Sequence, residues 1–294
     1  MTPRDNRSSL VTVVARLRIA EPQFWCDRPN MDRAGRSIAL PGSGGVALGL
    51  HSGSLVDSIE ADHAMPGITL EDIPSMGSAH GLICVGNRVR GQDGGTIGVV
   101  AGKRGGLAPG FLPVQFVGVE APDEELALAV PGMELAVEAR GRGLVLVDRR
   151  EIAVLNCDPQ TLDALALTDT GACIEVGVRT VIGSVHAGAG LGSDPWIGDL
   201  EIAAATAETA ALRFGDLVAF DGIDARVSRF HRRGCTAIGV VSHGPSRVPG
   251  HGIGVTMLIS GPRDDLRPRV SQQASLSSSL LARSRQEGSP VGSG

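Results

Sequence analysis

The stretch that decides the fold runs from residue 81 to residue 119 and reads GLICVGNRVR-GQDGG-TIGVVAGKRGG-LAPG-FLPVQFVGV. It contains three short apolar runs, and Asp93-Gly94-Gly95 separates the first two. Valine, isoleucine and phenylalanine favour strands, and Asp-Gly and Gly-Gly pairs supply the positive φ angles that tight hairpins need. The pattern predicts a small antiparallel barrel module near residues 81–119.

Strand patterns continue on both sides of this module. Residues 10–20 (LVTVVARLRIA) and 133–155 (MELAVEARGRGLVLVDRREIAVL) are rich in β-branched residues or alternate between apolar and polar ones. A short helix is predicted over 159–170, where Asp158 can cap the first turn and Pro159 can occupy it. We therefore expect a mainly β protein, of the β-rich α+β class, with few short helices. The rhythm of the barrel module resembles the small SH3-like modules of ribosomal and transcription proteins.

The chain divides by composition into three predicted segments. Residues 1–130 form an N-terminal β-rich part that includes the barrel module, and residues 131–262 form a C-terminal β-rich part. After Gly261 the sequence becomes rich in serine, arginine, glutamine and proline. Such a composition buries little apolar surface, so we predict a disordered tail over residues 263–294.

Composition narrows the class of partner. The net charge is −5, aromatic residues make up 3% of the chain and tyrosine is absent, which disfavours nucleic-acid binding. No apolar run reaches the roughly 18 residues of a membrane span, so no membrane partner is expected. The five cysteines are scattered and odd in number, which argues against a disulfide framework. These features predict a cytoplasmic protein that acts on a small-molecule substrate.

Three histidines stand where a plain core would not place them. His63 follows Asp62 and precedes a Pro-Gly turn, His243 follows an apolar strand, and His251 lies between two glycines. Imidazole titrates near neutral pH and binds metal ions, so such residues suit proton transfer or metal ligation. We predict Asp62, His63 and His251 as catalytic residues.

The same histidines define a predicted metal site. A zinc-like site combines two or three histidines with a carboxylate and leaves one position open for water. The predicted ligands of a divalent, zinc-like ion are His63, His243, His251 and Asp199. No HExxH-type spacing fixes the site, so the alternative stays open that each histidine caps a turn or bonds a backbone carbonyl.

Substrate contacts are predicted at two further places. Asn156 and Asp158 flank Cys157, and residues 188–193 (GAGLGS) form a glycine-rich loop whose Gly190, Gly192 and Ser193 could present backbone N–H groups to an anion. The alternatives are a helix cap at Asp158 and a plain tight turn at the loop. No apolar helix follows this loop, so no nucleotide cofactor is expected.

An ordered set of motifs resembles one family. Its members in this sequence are Leu40-Pro41-Gly42-Ser43-Gly44-Gly45, Asp62-His63-Ala64-Met65-Pro66-Gly67, Asn156-Cys157-Asp158-Pro159, Gly190-Leu191-Gly192-Ser193, Gly198-Asp199 and Gly250-His251-Gly252-Ile253-Gly254. The set is similar to the bacterial family called domain of unknown function 4438, over about residues 10–260. That resemblance implies two β-rich parts and a site position. A fainter likeness to the acetamidase/formamidase family lies in residues 198–202 and 213–218 and implies amide hydrolysis by a metal-dependent site.

Three functional hypotheses follow from these residues. The first is a hydrolase or lyase that acts on a small polar metabolite bearing an amide or carboxylate group. The second is a non-catalytic metabolite-binding or assembly protein, in which flat β faces form a homo-oligomer. A nucleic-acid accessory role, suggested only by the barrel module and the arginines of the tail, is the weakest of the three readings.

Overall fold

The computed structural model describes residues 2–22, 30–31, 34–35, 37–38, 40–73, 79–108, 112–203, 206–246 and 248–286. The α-helices are α1 (Asp123–Leu126), α2 (Pro159–Ala164) and α3 (Ser277–Gln286). The strands are β1 (Val13–Ile19), β2 (Asn30–Met31), β3 (Ser37–Ile38), β4 (Val46–Ala47), β5 (Gly67–Asp72), β6 (Arg88–Arg90), β7 (Thr96–Ala108), β8 (Leu112–Glu120), β9 (Glu134–Ala139), β10 (Ala153–Val154), β11 (Thr168–Asp169), β12 (Ile174–Val178), β13 (Thr180–Gly183), β14 (Leu200–Ile202), β15 (Leu217–Asp224), β16 (Phe230–His243), β17 (Ile253–Pro262) and β18 (Leu266–Val270). The predicted mainly β fold with few short helices is confirmed.

A closed antiparallel barrel forms the first layer. Its strands follow the order β1-β9-β6-β7-β8-β5, and pairing of β5 with β1 closes it. Closure removes unpaired strand edges, and the alternating burial of β9 shows one face turned to the barrel core. The predicted module at 81–119 supplies β6, β7 and β8, and its residues 109–111 lie outside the described residues. The other strands come from outside the module.

Strand β9 lies beyond residue 130, so the predicted boundary there does not coincide with the edge of the barrel. The barrel closes only when β9 pairs with β1 and β6, because a closed barrel needs enough tilted strands to complete the ring. The chain segment after residue 130 therefore contributes strand β9 to the barrel before it forms the second sheet.

A second sheet has the order β10-β17-β16-β15-β13, and β14 pairs with β17. Nearly every residue of β17 is buried, as expected for a strand that is covered on both faces. One cover is the barrel, because the backbone N–H of Lys103 on β7 donates to Thr256 Oγ1 of β17 at 2.8 Å. The candidate site lies where the barrel meets this second sheet.

The ordered chain extends past residue 263, where the predicted tail begins. Strand β18 pairs in parallel with β12, and α3 follows it. Leu266, Leu276 and Leu280 are buried in the core, so this segment has the apolar anchors that its polar composition conceals. The prediction of a disordered tail is therefore corrected for residues 266–286, and residues 287–294 lie outside the described residues. Within the described chain, no helix is long and apolar enough to cross a membrane.

Candidate functional site

Three neighbouring strands align two of the site residues. Glu201 on β14 is opposite Gly254 on β17, and Gly254 is in turn opposite His243 at the end of β16. A Cβ atom on residue 254 would lie 1.9 Å from the His243 ring, which is far inside van der Waals contact. Glycine at this position therefore lets the imidazole lie across the middle strand, toward the carboxylates of β14.

His63 reaches the same place from the loop between β4 and β5. Its φ angle is +57°, an uncommon left-handed conformation for histidine. The loop holds this conformation through its backbone, because the His63 N–H donates to Pro245 O at 3.1 Å and Ser43 Oγ donates to His63 O at 2.8 Å. Strained backbone that is fixed on both sides is a feature of functional sites.

The donor atoms of three residues form a nearly equilateral triangle. His63 Nε2 lies 3.2 Å from His251 Nδ1 and 3.4 Å from Glu201 Oε1, and His251 Nδ1 lies 3.1 Å from Glu201 Oε1. Ligands that bind zinc tetrahedrally at about 2.0–2.1 Å are about 3.3–3.4 Å apart. The triangle thus matches one face of a tetrahedral metal site, and its fourth corner would be open to water or substrate.

Two donors of the triangle, His63 and Glu201, are oriented by neighbouring groups. His63 Nδ1 donates to Asp62 Oδ2 at 2.7 Å, so its Nε2 lone pair faces the triangle. The backbone N–H of Gly252 donates to Glu201 Oε2 at 2.6 Å, which leaves Oε1 for the triangle. A Cβ atom on residue 252 would lie 1.8 Å from the carbonyl oxygen of Ile202, so only glycine permits this approach. Such supporting contacts are typical around metal ligands.

Electrostatics favours charged carboxylates in the cluster. Burial alone would raise the pKa of Glu201, but the hydrogen bond from His251 and the neighbouring rings of His63 and His243 hold that pKa well below its usual range. Burial likewise opposes ionisation of Asp62, yet its hydrogen bond with His63 keeps the pKa of Asp62 lowered. The hydrogen bond to Glu201 raises the pKa of His251 above its ordinary value of 6.5. The cluster is therefore acidic and attracts a cation.

A second group of donors shares Glu201. His243 Nε2 lies 2.8 Å from Asp199 Oδ2, and both side chains are buried. An oxygen of Glu201 lies within 4.8 Å of these two donor atoms. The rings of His243 and His63 are neighbours, with centroids 5.2 Å apart. The structure therefore brings together Asp62, His63, His243, His251 and Asp199, all of which the sequence nominates.

Arg104 on β7 supplies positive charge beside the cluster. It is 2% exposed, its guanidinium donates to Ser43 Oγ, and it lies over the Phe116 ring. Burial lowers the pKa of Arg104, while the carboxylates of the site, Asp199 first among them, raise it. Arginine stays charged in proteins, so this side chain is a permanent counter-ion.

The predicted substrate residues Asn156 and Asp158 have other partners. Asn156 Oδ1 accepts from Lys103 Nζ at 2.8 Å, and its Nδ2 donates to Pro195 O and Met257 O. Asp158 caps α2 by accepting from the backbone N–H of Gln160 at 2.8 Å. Asn156 thus fixes the loop that leads to Asp199. Asp158 caps a helix, which is the alternative role that its position before Pro159 predicts.

The glycine-rich loop lies beside the cluster without presenting its amides to it. Arg229 Nε donates to Gly190 O at 2.9 Å, and the backbone N–H of Gly192 donates to Arg229 O at 2.7 Å. The Ser193 carbonyl accepts from the Arg229 N–H at 3.1 Å. The buried Arg229 therefore fills this loop. The hydrogen bonds of Gly190, Gly192 and Ser193 named above are made with Arg229 and do not point to the cluster.

Glu201 and Arg104 are the site residues that the sequence reading did not nominate. A signal for Glu201 was present, since Asp199 and Glu201 are two residues apart and residues i and i+2 of a strand share a face. No such signal marks Arg104, because the sequence Lys-Arg-Gly-Gly at residues 103–106 is as typical of an exposed hairpin as of a buried site.

These features define a β-barrel protein with a buried histidine–carboxylate cluster at the junction of two sheets. The model of "Domain of unknown function (DUF4438), N-terminal" matches residues 30–163, and that of "Domain of unknown function (DUF4438), C-terminal" matches residues 164–280. The chain belongs to this family, as its motifs suggest.

One solved structure, described as "Crystal structure of TM1086", is similar over nearly the whole chain. The identity is 28%, the TM-score is 0.85, and the match covers 95% of this chain and all of the other. No curated protein sequence matches the chain. The comparisons do not show the fainter likeness to acetamidase/formamidase.

Proposed function

We propose that this protein is a metal-dependent hydrolase or lyase that acts on a small polar metabolite with an amide or carboxylate group. The observation that carries the proposal is the triangle of His63 Nε2, His251 Nδ1 and Glu201 Oε1, with sides of 3.1–3.4 Å. Two histidines and a glutamate that leave a fourth position open are a known ligand set of catalytic zinc.

Charge supports a divalent ion at this place. Three buried carboxylates, those of Asp62, Asp199 and Glu201, face the guanidinium of Arg104. With neutral imidazoles, these three carboxylates outnumber the buried cations beside them, Arg104 and Arg229, and uncompensated buried charge is costly. A bound divalent cation would offset this excess of negative charge.

The chemistry follows from the open position. A divalent ion there would bind water, lower its pKa toward neutrality and polarise a carbonyl or carboxylate of the substrate. Asp62 holds His63 in the tautomer that ligation needs. The His251 side chain is 32% exposed, whereas His63 is fully buried, so a small substrate would approach from the His251 side.

The free thiols of the described cysteines support a cytoplasmic location. Cys84, Cys157, Cys173 and Cys235 are free and buried, and Cys26 lies outside the described residues. Proteins of reducing compartments keep such thiols reduced.

The test is metal-dependent turnover. The protein, purified without chelator, would be stripped and reloaded with Zn²⁺, Mn²⁺ or Co²⁺, and assayed against a panel of small amides, lactones and hydroxy acids. We expect turnover of at least one class that requires metal and is lost in Glu201→Gln. Glu208→Gln is the matched control, because Glu208 is exposed. Turnover that is independent of metal, or that survives in Glu201→Gln, would contradict the proposal.

A further inference from the structure

We infer that the cluster holds a second divalent metal ion, bound by Asp199, His243 and Glu201, so that Glu201 bridges a two-metal centre. This inference rests on the proposed function, because it adds an ion beside the one bound by His63, His251 and Glu201. The two donor groups share Glu201, and within each group the donor atoms lie within 4.8 Å of one another.

The hydrogen bonds of His243 call for a cation at this position. His243 Nδ1 lies 2.8 Å from Gly244 O, which can only accept, so Nδ1 is the donor. Nε2 then faces Asp199 Oδ2 at 2.8 Å, and a carboxylate oxygen is also an acceptor. Two acceptors at this distance need a positive species between them. A proton satisfies the pair, and a metal ion would satisfy it while also engaging Glu201.

The two halves of the cluster are built alike. His63 and His243 both donate from Nδ1 to an oxygen, of Asp62 and of Gly244 respectively, and both present Nε2 inward. Such an outer contact fixes the tautomer and ring orientation of a metal-binding histidine. Their ring centroids are 5.2 Å apart, and each ring places a nitrogen close to the shared carboxylate of Glu201. Ions in two-metal hydrolytic sites are about 3.5–4 Å apart.

Asp199 is also held as a ligand is held. Its Oδ1 accepts from the backbone N–H of Gly105 at 2.9 Å, which leaves Oδ2 directed at His243. The missing side chain at Gly254 gives the His243 ring its place over β17. Every ligand of the second group therefore has a fixed orientation before an ion binds.

A two-metal centre narrows the substrate class. A second ion would add two positive charges to a buried site whose excess carboxylate charge the first ion already offsets. A bridging hydroxide and one anionic group of the substrate would cancel these charges, since two-metal sites stabilise both the attacking and the leaving oxygen. The inference therefore points to a substrate that carries a carboxylate.

The test is metal stoichiometry, with Zn²⁺ and Mn²⁺ as the probes. Apo protein would be titrated calorimetrically, and bound metal would be counted after desalting, for wild type, His243→Ala and Asp199→Asn. His231→Ala is the matched control, because His231 is an exposed histidine on the same strand. Thermal unfolding of each variant checks that it folds, and the isosteric Asp199→Asn covers the case in which His243→Ala does not.

We expect two ions per chain in wild type and His231→Ala, and one in His243→Ala and Asp199→Asn. The Mn²⁺-loaded wild type should give the electron paramagnetic resonance signal of a coupled pair, and the variants that of a single ion. One ion in wild type, retained in both variants, would overturn the second site and leave the proposed function standing. No bound ion in wild type would overturn both.

Discussion

Replacement of Asp62 by asparagine tests how the protein supports its first metal ligand. The carboxylate is 3% exposed and accepts from His63 Nδ1 at 2.7 Å. Asparagine keeps the size and one oxygen but loses the charge that makes the imidazole a stronger ligand. Changes to such outer contacts lower metal affinity by about 10–100-fold, and because this pair is buried and unscreened we expect about 100-fold, or about 2.7 kcal/mol.

The assay is competition for Zn²⁺ or Co²⁺ against a chromophoric chelator at fixed pH. Asp57→Asn is the matched control, since Asp57 is an exposed carboxylate on the same connection between β4 and β5. It should leave the affinity unchanged. If Asp62→Asn binds metal within about threefold of wild type while folding normally, His63 is not an oriented ligand and the reasoning fails.

Three further predictions follow. Gly254→Ala places a Cβ atom 1.9 Å from the His243 ring, so the ring must move and the number of bound ions should fall by one. Lys103→Met removes a buried ammonium that donates to three oxygens at 2.8–2.9 Å, and the free energy of unfolding in urea should fall by about 2–4 kcal/mol. The hydrogen bond to Glu201 raises the pKa of His251, so protons should compete with metal and lower its affinity as the pH falls through that raised pKa.

The control for Gly254→Ala is Gly261→Ala on the same strand. It adds a methyl group where the nearest atom is a side-chain carbon, Ile152 Cγ1, at 3.1 Å, and it should leave the number of bound ions unchanged.

The control for the pH prediction is the metal-free protein, in which the stability of the fold should change with pH in the opposite direction to the metal affinity. The His251–Glu201 pair stabilises the fold fully below about pH 6.5 and loses that contribution as the pH rises through the raised pKa. His251→Gln should remove the pH dependence of stability and weaken that of metal affinity, and a stability that depends on pH as steeply as in wild type would refute the assignment.

Local patterns predicted the strands but not how they assemble. The hairpin of β6 and β7 was evident from its Asp-Gly-Gly turn, because the turn chemistry is local. The closure of the barrel by β1, β5 and β9 depends on pairings between residues more than 40 positions apart, such as Leu17 with Asp72. Strand β18 is ordered because apolar side chains anchor its segment in the core. The serine-rich composition of the segment does not reveal these side chains.

The predicted residues that the structure brings into one cluster include some with unusual backbone, such as His63 with its positive φ angle. His63 and His251 were nominated by their glycine and proline neighbours, and at one of these, Gly252, a Cβ atom would clash with the carbonyl oxygen of Ile202. Glu201 was missed because its one signal, the two-residue spacing from Asp199, does not show which side chains it contacts. The roles of Asn156 and Asp158 could not be separated by sequence, because capping, loop anchoring and substrate binding use the same residue types.

The central claim is that His63, His251 and Glu201 bind a divalent ion. Crystals grown with Zn²⁺, with diffraction collected at the zinc absorption edge, test it most directly. The account predicts an anomalous peak about 2.0–2.2 Å from His63 Nε2, His251 Nδ1 and Glu201 Oε1. A cluster without a peak at saturating Zn²⁺, or a zinc ion bound elsewhere while these three side chains keep their mutual hydrogen bonds, would contradict it.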